Sequence, residues 1–216
     1  MDKKNTIAAL FDFDGVVMDT EGQYTIFWNK QGQKYLGIAD FGQLIKGQTL
    51  TQIYDKHFAG LDDIQLQIRK DLSIFEENMS YEFIPGVETF LADLRLHEVK
   101  TAVVTSSDGK KMANVYRAHP TLCEKFDRII TADLFTHSKP HPECFLLGME
   151  LLGASAENTF VFEDSFHGLQ AGAASGATVI GLATTNSREK IAGKADFIID
   201  DFTDINFERM IRLRKK

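Results

Sequence analysis

The sequence predicts an α/β fold: a doubly wound parallel sheet, Rossmann-like in its core, with a helical cap domain inserted after the first strand. Three observations carry this. From Pro85 onward short apolar runs alternate with helical periods, and such βα repetition builds a parallel sheet with helices on both faces. The first apolar run, residues 7–11, lacks strict alternation, as suits a strand buried on both sides. Residues 17–82 carry helical spacing and no convincing strand before the Pro85-Gly86 break, which reads as an insertion rather than as part of the alternation. The expected division is therefore a core of residues 1–16 and 83–216 and a cap of 17–82.

In order, the first strand ends in Asp12-Phe13-Asp14-Gly15. Side chains at i and i+2 of an extended segment share a face, and glycine lets the chain turn just beyond them. Helical spacing follows through Tyr24, Phe27, Trp28, Tyr35 and Leu36, then in segments near 41–45, 49–58 and 61–79. Phe27 and Trp28 read as cap core at that spacing. Beyond Pro85 the expected helices are 87–97, 110–118, 142–152, 169–175, a short one near Glu189, and a last one from Asp204. The expected strands are 100–105, 128–131, 159–162, 178–182 and 197–199. In open sheets of this kind ligands bind past the carboxyl ends of the strands, so function is expected at Asp12, at Thr105 and after Phe162.

Composition narrows the classes. The 216-residue chain can bury a full core. Its net charge of −7 argues against nucleic-acid binding, which needs a concentrated basic surface. The one basic cluster, Arg209, Arg212, Arg214, Lys215 and Lys216, reads as a solvated helix face and frayed end. Cys123 and Cys144 have no ligand-type spacing and read as cytosolic thiols. The apolar start is too short for a signal peptide or membrane span, so a cytoplasmic monomer is expected. Gly168, Gly172 and Gly176 recur every fourth residue, a helix-packing face rather than a dinucleotide fingerprint.

Four polar motifs sit where the topology asks for them. Asp-x-Asp-Gly at 12–15 places acids and free N–H groups together, equipment for holding a metal ion and a phosphoryl group. Thr105-Ser106-Ser107 offers a hydroxyl and backbone N–H groups to phosphate oxygens at a helix start, although Ser107 or Asp108 could merely cap that helix. Lys139, in Ser138-Lys139-Pro140, could reach over the cleft and neutralise phosphate charge. His137 and His141 flank it at near-ligand spacing, but a proline-rich loop with a cation at its centre reads as a poor metal site. Glu163 and Asp164 are adjacent acids at a strand end, which repel unless a cation or solvent separates them, as at a hard-metal site.

In order and context these four motifs resemble those of the haloacid dehalogenase superfamily, and Asp19-Thr20-Glu21 is similar to its β-phosphoglucomutase-like subfamily of mutases and sugar-phosphate phosphatases. The resemblance covers the core from Ile7 to Ile199 and adds Lys139-Pro140-His141-Pro142 and Gly168 to the matching positions. It implies Asp12 as nucleophile forming an aspartyl-phosphate and Asp14 as general acid and base. It implies Mg²⁺ held by Asp12, the Asp14 carbonyl, Asp164, and Glu163 directly or through water. Thr105, the Ser106 N–H and Lys139 would bind the transferring group. The cap would contribute Glu21, Tyr24 and the loop Lys46-Gly47-Gln48-Thr49 to a small phosphorylated substrate.

The resulting expectation is a Mg²⁺-dependent phosphatase of a small phosphorylated metabolite. Alternatives are a phosphomutase, an inorganic pyrophosphatase and, against the full set of acids, a non-enzymatic binding module. The dehalogenases of the superfamily lack the second aspartate, so Asp14 favours phosphoryl transfer. In the mutase pattern a cap histidine and arginine assist; here those positions hold Tyr24 and Leu50.

Overall fold

A computed structural model describes residues 6–46 and 48–215. Six parallel strands, β1 (Ala8–Phe11), β2 (Lys100–Val104), β3 (Arg128–Ile130), β4 (Thr159–Glu163), β5 (Thr178–Leu182) and β6 (Phe197–Ile199), lie in the order β3-β2-β1-β4-β5-β6. The chain winds outward from β1 in both directions, so β1 is central and the strand ends beside it converge. All four residues of β1 are buried, with Leu10 in the cluster on one face and Ala9 and Phe11 in the cluster on the other. That is why the run lacks alternation: both faces are covered.

Helices α5 (Val87–Leu96), α6 (Gly109–Ala118) and α10 (Phe207–Arg212) contribute to the first cluster, where Phe11 stacks on Phe162 at 4.7 Å. Helices α7 (Glu143–Leu152) and α8 (Phe166–Ala174) contribute to the second, and a short α9 (Arg188–Ile191) lies beyond β5. Most boundaries fall within a residue or a few of the sequence reading. β4 runs one residue further, to Glu163. α8 starts at Phe166 because Ser165 accepts the Gly168 N–H as its cap, and α10 starts at Phe207 because Asn206 caps it.

Between β1 and α5 lie four helices, α1 (Glu21–Leu36), α2 (Phe41–Leu44), α3 (Leu50–His57) and α4 (Asp62–Asn78). They enclose a core of their own, in which Phe27, Trp28, Phe41, Tyr54, Phe58 and Ile68 are buried. The two chain crossings into this block run side by side: Asp19 N–H donates to Glu82 and Ile84 N–H to Val17. Val17, Met18, Met79 and Tyr81 pack with the sheet's cluster rather than with the helices.

Candidate active site

Phe11 ends β1, and Asp12 N–H still bonds to the Phe162 carbonyl at 3.0 Å, so the neighbouring strand fixes the first carboxylate. Lys139 reaches this point from the loop before α7. Its ammonium is 1% exposed and donates to Asp12 Oδ1 at 2.6 Å, Glu163 Oε1 at 2.7 Å and the Val104 carbonyl at 3.1 Å. Burial alone would push the ammonium's pKa down, but Asp12 and Glu163 outweigh it and hold the group above the ordinary lysine range. Asp12 is pushed up to about 7, first by burial and then by Glu163, against the pull of Lys139.

Glu163 is the more heavily hydrogen-bonded of these two acids. One carboxylate oxygen takes Lys139; the other accepts from Asp164 N–H and Ser165 N–H at 2.9 Å each and Ser165 Oγ at 3.0 Å. Its place depends on Gly168, where a Cβ would lie 1.7 Å from Glu163 Oε1. Asp164 is the opposite case. It is buried, neither oxygen completes a hydrogen bond although Thr185 lies close, and its pKa is raised well above the usual range by burial, then by Glu163, Glu21 and Asp12. Gly15, with φ of +79°, presses against it: a Cβ there would sit 2.1 Å from Asp164 Oδ2.

Carboxylate oxygens of Asp12, Glu163 and Asp164 all lie within 4.8 Å of one another. Three buried oxygen donors, one of them with orphaned lone pairs, fit a hard divalent cation. Asp14 stands outside that cluster. Its carboxylate accepts from Ser107 Oγ at 3.0 Å, from Thr20 Oγ1 and from the buried Lys111 ammonium.

A cavity of about 410 Å³ opens over these groups, bounded below by the strand ends and above by the helical block. Asp12, Asp14, Ser106, Lys139, Glu163 and Asp164 form its floor, and Glu21, Tyr24, Lys46 and Gln48 its upper wall. Ser106 Oγ is buried without a partner. Thr105 is set deeper: it is 1% exposed, its hydroxyl accepts the Ser107 N–H at 3.0 Å, and it is not part of the cavity lining. Glu21 and Lys46 face each other at 3.6 Å, with Glu21 pushed up to about 7 by burial and by Asp14. Tyr24 donates its hydroxyl to Glu76 at 2.9 Å, and Gln48 its amide to the Leu44 carbonyl at 3.1 Å. Gly47 lies outside the described residues.

Several lining residues were not anticipated: Lys111, Glu76 and Arg69, while Ser107, read as part of the phosphate-binding stretch or as a helix cap, bonds the Asp14 carboxylate instead. The signal for Lys111 is helical phase, because it shares the buried face of α6 with Met112 and Val115 whereas Lys110 is exposed. Glu76 and Arg69 lie seven residues apart on one side of α4, a spacing that ordinary solvated helices also show.

A parallel sheet whose central strand ends in a buried carboxylate, bound by a lysine and flanked by a divalent-ion donor set, defines a doubly wound α/β protein with a candidate site at its strand ends. The chain belongs to the haloacid dehalogenase-like hydrolase family, whose model matches residues 9–182. It is 27% identical over 187 residues to a phosphorylated carbohydrates phosphatase of Thermotoga maritima, covering 78% of this chain and 81% of that one. To pyrophosphatase PpaX of Oceanobacillus iheyensis it is 26% identical over 202 residues, covering 91% and 93%. The β-phosphoglucomutase of Clostridium difficile shares the fold, with a TM-score of 0.80 at 23% identity over 97% of each chain. Among the described residues, no helix is long and apolar enough to cross a membrane.

Proposed function

We propose that this chain is a Mg²⁺-dependent phosphatase that hydrolyses a small phosphorylated metabolite through an aspartyl-phosphate on Asp12. The observation that carries this is the buried Asp12–Lys139–Glu163 array beside the unpaired Asp164 carboxylate, at the floor of a cavity closed by helices. Asp12 attacks phosphorus while Lys139 orients it and offsets the charge gathered there. The leaving alkoxide takes a proton from Asp14. Water then attacks the aspartyl-phosphate, giving its proton back to Asp14 and releasing phosphate and the free Asp12 carboxylate. Ser106 and the N–H groups after β2 hold the transferring oxygens, with Thr105 shaping that turn from behind.

Asp12, Asp164 and the Asp14 carbonyl would hold Mg²⁺, with Glu163 contributing directly or through water, and the ion supplies Lewis-acid screening between carboxylate and phosphate. Glu163, with both oxygens hydrogen-bonded, serves chiefly to fix Lys139. The helical block acts as the cap that excludes water and contacts the substrate. Hydrolysis is favoured over isomerisation because the wall positions of Tyr24 and Leu50 carry a phenol committed to Glu76 and an apolar side chain, neither of which can guard the intermediate or bind a second phosphate.

Purified protein incubated with a panel of phosphate esters, pyrophosphate, and β-glucose 1-phosphate with catalytic glucose 1,6-bisphosphate tests this. Phosphate release that stops with EDTA and returns with Mg²⁺ is expected. Full activity without a divalent ion would overturn the metal's role, and glucose 6-phosphate forming faster than phosphate would overturn the phosphatase reading.

A further inference from the structure

The loop that delivers Lys139 has a second face, turned to solvent. There the His137 and His141 rings lie 4.7 Å apart and tilted by 37°, and the Glu143 carboxylate joins them. The sequence argument against a metal site was a proline-rich loop with a cation at its centre, and it is the cation that weighs most against an ion. The fold removes that objection: Lys139 points inward and is 1% exposed, so its charge is spent on Asp12 and Glu163. The imidazoles remain outside, their side chains 64% and 52% exposed, open to an ion from solvent.

The geometry points to a binding site for a borderline divalent transition ion, zinc(II) foremost, made by His137, His141 and Glu143. It is separate from the carboxylate cluster around Asp12. His137 Nδ1 lies 2.6 Å from Glu143 Oε2 and His141 Nδ1 lies 4.0 Å from the same oxygen. A tetrahedral ion with bonds of about 2.0–2.1 Å holds its ligand atoms about 3.3 Å apart. One pair therefore opens, and the other closes, by about 0.7 Å, within the reach of exposed side chains on a loop.

Glu143 is fixed in advance. It opens α7, and its two oxygens accept the N–H groups of Thr136 and His137 at 2.8 Å each. Those backbone bonds, with His137, hold its carboxyl down to about 2, so it is an anion wherever imidazole is a ligand. His141 Nδ1 carries the ring's lone pair, which now accepts the Glu143 N–H at 3.2 Å, a long bond that the ion replaces when it binds. When the ion binds through His137 Nδ1, the proton shared by that nitrogen and Glu143 leaves to solvent, and water completes the open coordination. Donor chemistry sorts the two sites: two imidazoles and one carboxylate select zinc, cobalt or nickel, whereas the all-oxygen cluster at Asp12 selects magnesium.

Titration of chelator-stripped full-length protein with zinc(II), with Mg²⁺ saturating, reads this directly, and cobalt(II) absorption reports the coordination. One equivalent of zinc is expected, with tetrahedral cobalt bands. The H137A/H141A double variant should weaken binding at least about 100-fold while the melting temperature without zinc stays within a few degrees, because both imidazoles are exposed; Glu143→Gln should weaken binding about 10-fold and also lower the zinc-free melting temperature, because its carboxylate holds the Thr136 and His137 N–H groups. An isotherm unaltered by the double variant, or binding lost in Asp164→Asn instead, would overturn the assignment whatever the catalytic outcome.

Discussion

The floor and the upper wall of the cavity are built on different plans. On the floor, the groups proposed to react come from the ends of adjacent strands and, for Lys139, from the loop before α7, and most are fixed by several bonds. Lys139 makes three and Glu163 accepts four, so neither has freedom to move. On the wall, the polar groups come from helices and a loop and pair mostly with one another, as Glu21 does with Lys46 and Tyr24 with Glu76. A sheet buried on both faces holds its strand ends rigidly; a separate helical core can shift against it. The comparison teaches that floor residues should set kcat for every substrate, and wall residues should set KM for particular ones.

The largest effect expected is at the floor. Asp12→Asn keeps the shape of the side chain but removes the proposed nucleophile, so turnover should fall by at least about 10⁴-fold for every ester, with an unchanged circular dichroism spectrum. Steady-state assay against several esters checks it, and appreciable residual turnover would count against covalent catalysis.

Lys111 is the sharper test of where the floor ends. It binds the Asp14 carboxylate while lying 4.5 Å from the centre of the Tyr24 ring, so it touches both regions. Lys111→Met should lower kcat by about 10²-fold through mispositioning of Asp14, with KM little changed. The adjacent Lys110→Met, exposed at the cavity edge, should stay within about twofold in kcat. Equal effects from the two would erase the distinction between them.

The contrast also explains what the sequence disclosed. Asp12, Glu163 and Asp164 were legible because parallel sheets present ligands at strand ends, so each motif is a few contiguous residues beside an apolar run. Lys111 was not, because its difference from Lys110 is only helical phase. The hydrogen bonds of Glu163 were equally hidden: its pairing with Lys139 joins the last residue of β4 to a loop 24 residues earlier, and two adjacent acids read as two metal ligands. His137 and His141 were set aside because sequence places Lys139 between them, while the fold sends it to the opposite side.

On the wall, effects should be smaller and depend on the leaving group. Lys46→Met and Glu76→Gln should each raise KM by about 5- to 20-fold for the preferred ester while leaving kcat within about threefold. Uniform loss of kcat across all esters would show that the wall belongs to the chemical machinery and would break the comparison.

The smallest effect concerns Glu21, a wall residue with an electrostatic tie to Asp14 on the floor. Its carboxyl rises from 4.5 to about 7, first because it is buried and then because Asp14 is near, with Lys46 opposing. The unfolded chain gives up this proton near its ordinary value, whereas the folded protein keeps it longer. Between those two values the native state binds more protons, so stability falls as pH rises through the window from about 4.5 to about 7. The full shift, in which the opposing pull of Lys46 is already counted, would convert to about 3 kcal/mol; solvent screening of a side chain that is 20% exposed reduces it to the order of 1–2 kcal/mol. Asp12 titrates in the same direction, so the quantity to measure is a difference. Urea midpoints at pH 5 and pH 7.5, with EDTA present, should drop more in the wild type than in Glu21→Gln, which has no proton to lose. If the two proteins lose stability in parallel, Glu21 titrates as a solvated group and the wall is electrostatically independent of the floor.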